Sequence, residues 1–256
     1  VAKQALAMQT PDAEGALREA KAALAIDASN VDAAAMVAFA YYHKKLYDTA
    51  ELVLDEVFKR PVAKTNTNIN YVYGLIYDKT NRPEQAALAY TKAVEINPSF
   101  ASALVGVGVH QLKNQQYANA QATFEKLTQQ LNRLDAVTLT SLGSAYRGRA
   151  AEYPSAAGEH AQFVRSADAA YKRAIQTNGQ YGPAYYNLGL LYLDNDPFPG
   201  IADAIVRLTT AKGYFDNYKN APGFDVKLHQ DRIKDVDKAI KRAQKKAKKP
   251  PPPATP

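Results

Sequence analysis

Residues 67–100 read TNINYVYGLIYDKTNRPEQAALAYTKAVEINPSF, and this stretch sets the register for the whole chain. Its first half carries Gly74 and Tyr77 three residues apart, its second half carries Ala86, Tyr90 and Ala93, and Pro98 closes it. Spacings of three and four residues put each set on one helical face, so the stretch predicts two helices with one apolar stripe apiece. A glycine inside a helix costs ~1 kcal/mol against alanine. Gly74 therefore implies a close approach, expected between the backbones of neighbouring helices. Pro98 ends the second helix and re-aims the chain.

The pattern repeats in both directions. Downstream, Leu104, Val107, Gly108, Ala120, Phe124 and Leu127 take the same places one period later. Next come Leu139, Leu142, Gly143 and Tyr146, an insertion of 12 residues, then Ala167, Tyr171 and Ala174. Tyr185, Leu188, Gly189 and Tyr192 follow, then an insertion of three residues containing DPFPG, then Ala204, Leu208 and Ala211. Upstream, Val37, Ala38 and Tyr41 precede Ala50, Leu54 and Val57, while Ala16, Ala20 and Ala23 fit the second helix of a partial first unit. Small, aromatic and proline positions recurring in 34 residues resemble the tetratricopeptide repeat (TPR).

That resemblance implies an all-α fold, a TPR superhelical solenoid of antiparallel helix pairs with a C-terminal capping helix. The array is expected over residues 1–218, with units near 31–66, 67–100, 101–135, 136–181 and 182–218. No single pair buries its apolar faces alone, so stacking supplies the core. From Phe224 the spacing Leu228, Ile233, Val236, Ile240, Ala243 predicts a one-sided amphipathic cap within 219–249. The sequence PPPPATP makes 250–256 a proline-rich flexible end.

The formal net charge of +7 is concentrated. Residues 234–249, KDVDKAIKRAQKKAKK, hold eight basic and two acidic side chains, so the rest of the chain is nearly neutral. Nucleic-acid binding expects basic residues across a folded face, and this tail has no aromatic residue for base stacking, so nucleic acid is not an expected partner. Attraction of the tail, including Lys245 and Lys246, to another anionic surface stays open beside a plain solvated face. Zero cysteines exclude a disulfide framework, a thiolate zinc site and a cysteine nucleophile. The apolar run 101–109 falls far short of the ~20 residues of a membrane span. Val1 at the start and the lack of a signal segment imply a mature protein or an excised piece.

Catalytic patterns fail. His43, His110, His160 and His229 are isolated, with no partner at metal-binding helical spacing, and each is expected to be a surface or packing residue. Gly106-Val107-Gly108 sits inside a repeat helix with no strand before it, and neither a phosphate loop nor a nucleophile elbow occurs. The expectation is a protein without enzymatic activity, metal or cofactor.

TPR helices carry a second stripe, rotated ~100° from the packing stripe, that lines the concave surface where family members hold peptides. Here it reads Ala35, Phe39, Tyr42; Tyr71, Leu75, Asp78; Val105, Val109, Leu112; Thr140, Ser144, Arg147; and Tyr186, Leu190, Leu193. Chaperone-binding members place Lys and Asn there to hold a C-terminal carboxylate; these residues are mostly apolar and fit an apolar or amphipathic partner segment instead. Tight curvature burying the stripe against itself is the alternative. The insertion within 147–165 adds Arg147, Arg149 and Arg165, either contacts for an acidic partner or decoration. The DPFPG stretch reads as a rigid turn.

Four stretches together are similar to one bacterial group: NYVYGLIYDKTNRPEQA, LTSLGSAYRGR, GPAYYNLGLLYLDNDPFPG and KAIKRAQKKAKK. The group is the TPR lipoproteins of the myxobacterial adventurous gliding-motility machinery. The resemblance implies a component of an envelope-spanning complex, tethered at the outer membrane on its periplasmic side, with the lipid-bearing cysteine upstream of Val1. Its partners would be proteins of that complex; oligomeric state is not implied. A type IV pilus assembly lipoprotein, binding a secretin or pilus subunit, and the regulatory TPR part of a larger cytoplasmic enzyme remain alternatives.

Overall fold

The computed structural model describes residues 12–248, so the expectations for the first eleven residues and for 250–256 lie outside the described residues. Among these, thirteen α-helices and one π-helical turn form, with no strand beyond an isolated bridge between Phe198 and Ile201. The chain divides into two compact units between His110 and Gln111.

The N-terminal unit contains α1 (Ala13–Ile26), α2 (Val31–His43), α3 (Tyr47–Phe58), the single turn α4 (Pro61–Lys64), α5 (Thr67–Lys79), α6 (Pro83–Ile96) and most of α7 (Ala101–Lys113). Asp12, Asn30 and Asn66 cap α1, α2 and α5 by accepting from the backbone N–H of Gly15, Ala33 and Ile69. Each first helix then ends in the same way. Lys45 and Asn81 adopt φ of 62° and 57°, and the next N–H closes onto a carbonyl five residues back, Leu46 to Tyr41 at 3.0 Å and Arg82 to Tyr77 at 2.9 Å. This left-handed cap satisfies the last carbonyls and turns the chain sharply into the second helix.

The close approach at Gly74 is real, but its partner is a ring. A Cβ there would lie 2.5 Å from the ring of Tyr90, and one at Gly106 would lie 2.6 Å from the same ring. Tyr90, 2% exposed, is therefore seated between α5 and α7 against two glycines. The expectation of backbone against backbone is corrected: removing the Cβ makes room for an aromatic side chain. The same device recurs in the C-terminal unit, where Gly143 meets Tyr171 at 2.6 Å and Gly189 meets Phe215 at 2.5 Å.

That unit contains the end of α7, α8 (Tyr117–Glu125) running into the π turn Lys126–Gln130, α9 (Ala136–Ala151), α10 (Gly158–Thr177), α11 (Gly182–Asp194), α12 (Ala204–Tyr218) and α13 (Val226–Ala247). Gln115, φ 58°, repeats the left-handed cap after α7, with Gln116 bonding back to Gln111 at 2.8 Å. The insertion of 12 lengthens helices more than loops: α9 has 16 residues and α10 has 20, against 13 and 14 in α5 and α6. His160, on the added part of α10, bonds through Nδ1 to the carbonyl of Ala150 at 2.9 Å and holds the long pair together.

Two further readings are corrected around residue 200. The DPFPG stretch is more than a turn, because Phe198 is 5% exposed and stacks on Tyr192 with ring centroids 4.1 Å apart. Arg207 is buried beneath it, donating to the carbonyls of Tyr192 at 2.6 Å and Leu193 at 3.0 Å. The stripe of α12 also runs further than Ala204, Leu208 and Ala211: the aromatic facing Gly189 is Phe215, seven residues beyond Leu208. The cap forms as expected. Val236 of α13 is fully buried, with Ile233 and Ile240 packed on the same cluster, while Leu228 stays exposed at its start.

Candidate functional site

Most of the predicted contact stripe is half-buried, while its members Ala35 and Thr140 are in the core. In the N-terminal unit Phe39, Tyr42, Tyr71, Leu75, Val105 and Val109 are all half-buried, neither core nor free surface, and the side chain of Asp78 keeps 30% of its exposure. The aromatic members form one connected series. Tyr47 and Tyr42 have ring centroids 5.7 Å apart, Tyr42 and Phe39 6.2 Å, Phe39 and Tyr71 6.3 Å, Tyr71 and Tyr90 6.0 Å, and Tyr90 and His110 5.9 Å. His43 packs edge-on against Phe39 at 4.6 Å. These separations lie in the range where aromatic pairs attract beyond simple burial.

Asp78 ends the series. Its Oδ2 accepts the hydroxyl of Tyr90 at 3.0 Å, and its Oδ1 lies 3.0 Å from Nε2 of His110. A carboxylate only accepts, so Nε2 carries the proton in this bond. Burial pushes the Tyr42 phenol up to about 12, with Tyr47, Tyr71 and Asp78 adding to the effect. Burial first, then Asp78, raises Tyr90 well above the ordinary phenol range. Burial holds His43 below the usual imidazole value. The Tyr42, Tyr90 and His43 rings are thus uncharged near neutral pH.

Tyr47, His43, Tyr90 and His110 were not among the sequence candidates. Tyr90 belongs to the packing stripe, and periodicity does not reveal that its hydroxyl emerges beside Asp78. His110 sits two positions short of Asp78's place in the repeat, a pairing across neighbouring first helices that spacing alone does not disclose.

In the C-terminal unit Leu112, Ser144, Arg147, Tyr186 and Leu190 are again half-buried, but the chemistry is different. Ser144 Oγ lies 3.2 Å from the hydroxyl of Tyr171, whose phenol burial pushes up to about 12. Arg147 reaches from α9 to α11, with Asn187 Oδ1 at 3.5 Å and Asp194 Oδ2 at 3.2 Å. Tyr186 packs on Phe215 and Tyr218 at 5.7 and 5.5 Å. Here the stripe is strapped by polar side chains rather than lined by a ring series.

The predicted basic contacts separate. Arg149 turns inward, paired with Glu152, 3.1 Å from the Tyr153 hydroxyl and 5.1 Å from the centre of the Phe163 ring. Arg165 is exposed on α10, as are Lys245 and Lys246 at the end of α13. Among the described residues no group of three or more His, Cys, Asp or Glu is arranged to hold a metal ion, and no helix is long and apolar enough to cross a membrane.

Residues 67–100 match the family model described as the tetratricopeptide repeat. No curated protein sequence matches the chain. Among solved structures, PilW, a widely conserved type IV pilus biogenesis factor, is 18% identical with a TM-score of 0.62, over 86% of this chain and 92% of its own. Pseudomonas aeruginosa PilF is 13% identical with a TM-score of 0.57, over 85% and 90%. A thermophilic TPR protein from Thermus thermophilus is 17% identical with a TM-score of 0.53, over 72% and 93%. At such identities the likeness is one of fold: an all-α, TPR-like solenoid of antiparallel helix pairs.

Proposed function

We propose that this chain is a non-catalytic protein–protein interaction scaffold that holds a partner segment against the ring series of its N-terminal unit. The observation that carries the reading is the run of half-buried rings from Tyr47 through Tyr42 and Phe39 to Tyr71, backed by the buried Tyr90. Rigid aromatic side chains give large contact area at low entropic cost, which is why they dominate binding hot spots.

The setting proposed is a bacterial envelope complex, on the periplasmic side of the outer membrane, with protein partners and no cofactor. The sequence resemblance to gliding-motility TPR lipoproteins supports a role in that machinery. The structural likeness to PilW and PilF favours a second reading, a factor in type IV pilus assembly. Both readings place the same demand on the stripe.

A pull-down from the source bacterium's envelope extract, with the chain as bait, tests it. Tyr71→Ala and Leu75→Asp are each expected to lower recovery of the principal partner by roughly tenfold or more. Unchanged recovery by variants with native circular dichroism removes the proposal.

A further inference from the structure

The N-terminal stripe carries a single ionised side chain. Phe39, Tyr42, Tyr71, Leu75, Val105 and Val109 are uncharged, and Asp78 stands among them as the one carboxylate. It is held in place. Its hydrogen-bonding partners Tyr90 and His110 are 2% and 5% exposed, so both bonds come from groups fixed in the core. A carboxylate offers about four acceptor positions, and these two bonds leave about half of them open. The side chain faces solvent with 30% of its surface. Among the described residues, no ammonium or guanidinium group pairs with it. The Tyr90 hydroxyl and the His110 imidazole orient the carboxylate.

This is the reverse of a site for an acidic terminus. A carboxylate from a partner would meet like charge at Asp78 and the electron-rich faces of Tyr42 and Tyr71. A guanidinium would meet complementary features at once, since it pairs with a carboxylate through parallel N–H donors and stacks on aromatic rings. Resting on the groove reading above, we propose that Asp78 anchors a cation: the partner segment seated on this stripe presents an arginine, or less favourably a lysine, to Asp78 between the Tyr42 and Tyr71 rings, with apolar residues flanking it. Arginine is preferred because its planar group satisfies the open carboxylate lone pairs and the ring faces together, whereas an ammonium is a strongly hydrated point charge.

The test titrates the intact chain with three synthetic probes of sequence acetyl-Leu-Phe-X-Leu-Ala-amide, X being arginine, citrulline or glutamate. Citrulline keeps the shape of arginine and lacks its charge. Binding is followed by calorimetry and by the amide NMR signals of Tyr42, Leu75 and Asp78. The arginine peptide is expected to bind at least tenfold more tightly than the citrulline peptide, the glutamate peptide more weakly than both, and Asp78→Asn to bring arginine down to citrulline. Equal binding of arginine and citrulline, with those signals shifting for both, overturns the cation anchor and leaves the groove. Signals unmoved by any peptide, together with undiminished partner recovery by Leu75→Asp, overturn both readings. The arginine–citrulline comparison on the unaltered chain decides the matter even where Asp78→Asn fails to fold.

Discussion

At Gly143 the Cβ of an alanine would lie 2.6 Å from the ring of Tyr171, a side chain with no exposed surface. Neither can yield: the ring is fully packed and the helix is fixed by its neighbours. Overpacking of this kind costs about 1–3 kcal/mol, against a propensity gain of ~1 kcal/mol. Gly213 is the control, since it is exposed on α12 and a Cβ there meets nothing within 4 Å. Gly143→Ala is expected to lower Tm by about 2–6 °C and Gly213→Ala to raise it by about 2–4 °C, as measured by thermal melts. A Tm for Gly143→Ala at or above that of the parent would sink the ring-seating account. The position of the glycine was legible in the sequence because period and propensity both mark it. What fills it was not, since a spacing of seven names a face and not the side chain opposite.

Among elements, α13 shows how much of a helix its apolar spacing decides. Ile233, Val236 and Ile240 were readable as the buried face, and they pack on the C-terminal cluster. Beyond Ala243 the described residues of this helix are exposed. Ending the chain after Ala243 is therefore expected to change Tm by less than about 2 °C, while Val236→Asp, which buries a carboxylate without a partner, costs about 3 kcal/mol or more. A large fall in Tm on truncation would make the basic end structural. In the neighbouring α12 Leu208 and Ala211 are buried as expected, but the ring that faces Gly189 lies seven residues beyond Leu208, for a definite reason. Ala204-Leu208 and Ala211-Phe215 are both small-then-large at a spacing of four, seven residues apart, so they lie on the same face. Periodicity cannot tell them apart; only the ring facing Gly189 does. The DPFPG loop escaped for another reason, because burial of Phe198 depends on Tyr192 and Arg207, which no local pattern connects to it.

For the molecule as a whole, tyrosine supplies hydrogen-bonded ties between successive repeats. Of the 17 tyrosines, several tie the second helix of one repeat to the first helix of the next through a phenol and a carboxylate. Tyr73 donates to Asp55 at 2.7 Å in the N-terminal unit. Tyr146 donates to Glu125 at 2.8 Å and Tyr192 to Asp168 at 2.9 Å in the C-terminal unit. These bonds require the proton, because a phenolate would face a carboxylate at contact distance. Burial is the first cause of the raised values at Tyr42, Tyr171 and Tyr192, each pushed from the usual 10.0 up to about 12. A group whose folded value is raised contributes stability that is complete below its unfolded value and is lost as pH climbs through the folded one. Stability is thus expected to hold up to about pH 10 and to fall from there to about pH 12, with both units losing helix as phenolate appears. Thermal melts across that range, read beside the ultraviolet absorbance of phenolate, check the point. Full tyrosine ionisation near pH 10 with an unchanged Tm would mean the phenols are not closing the repeats.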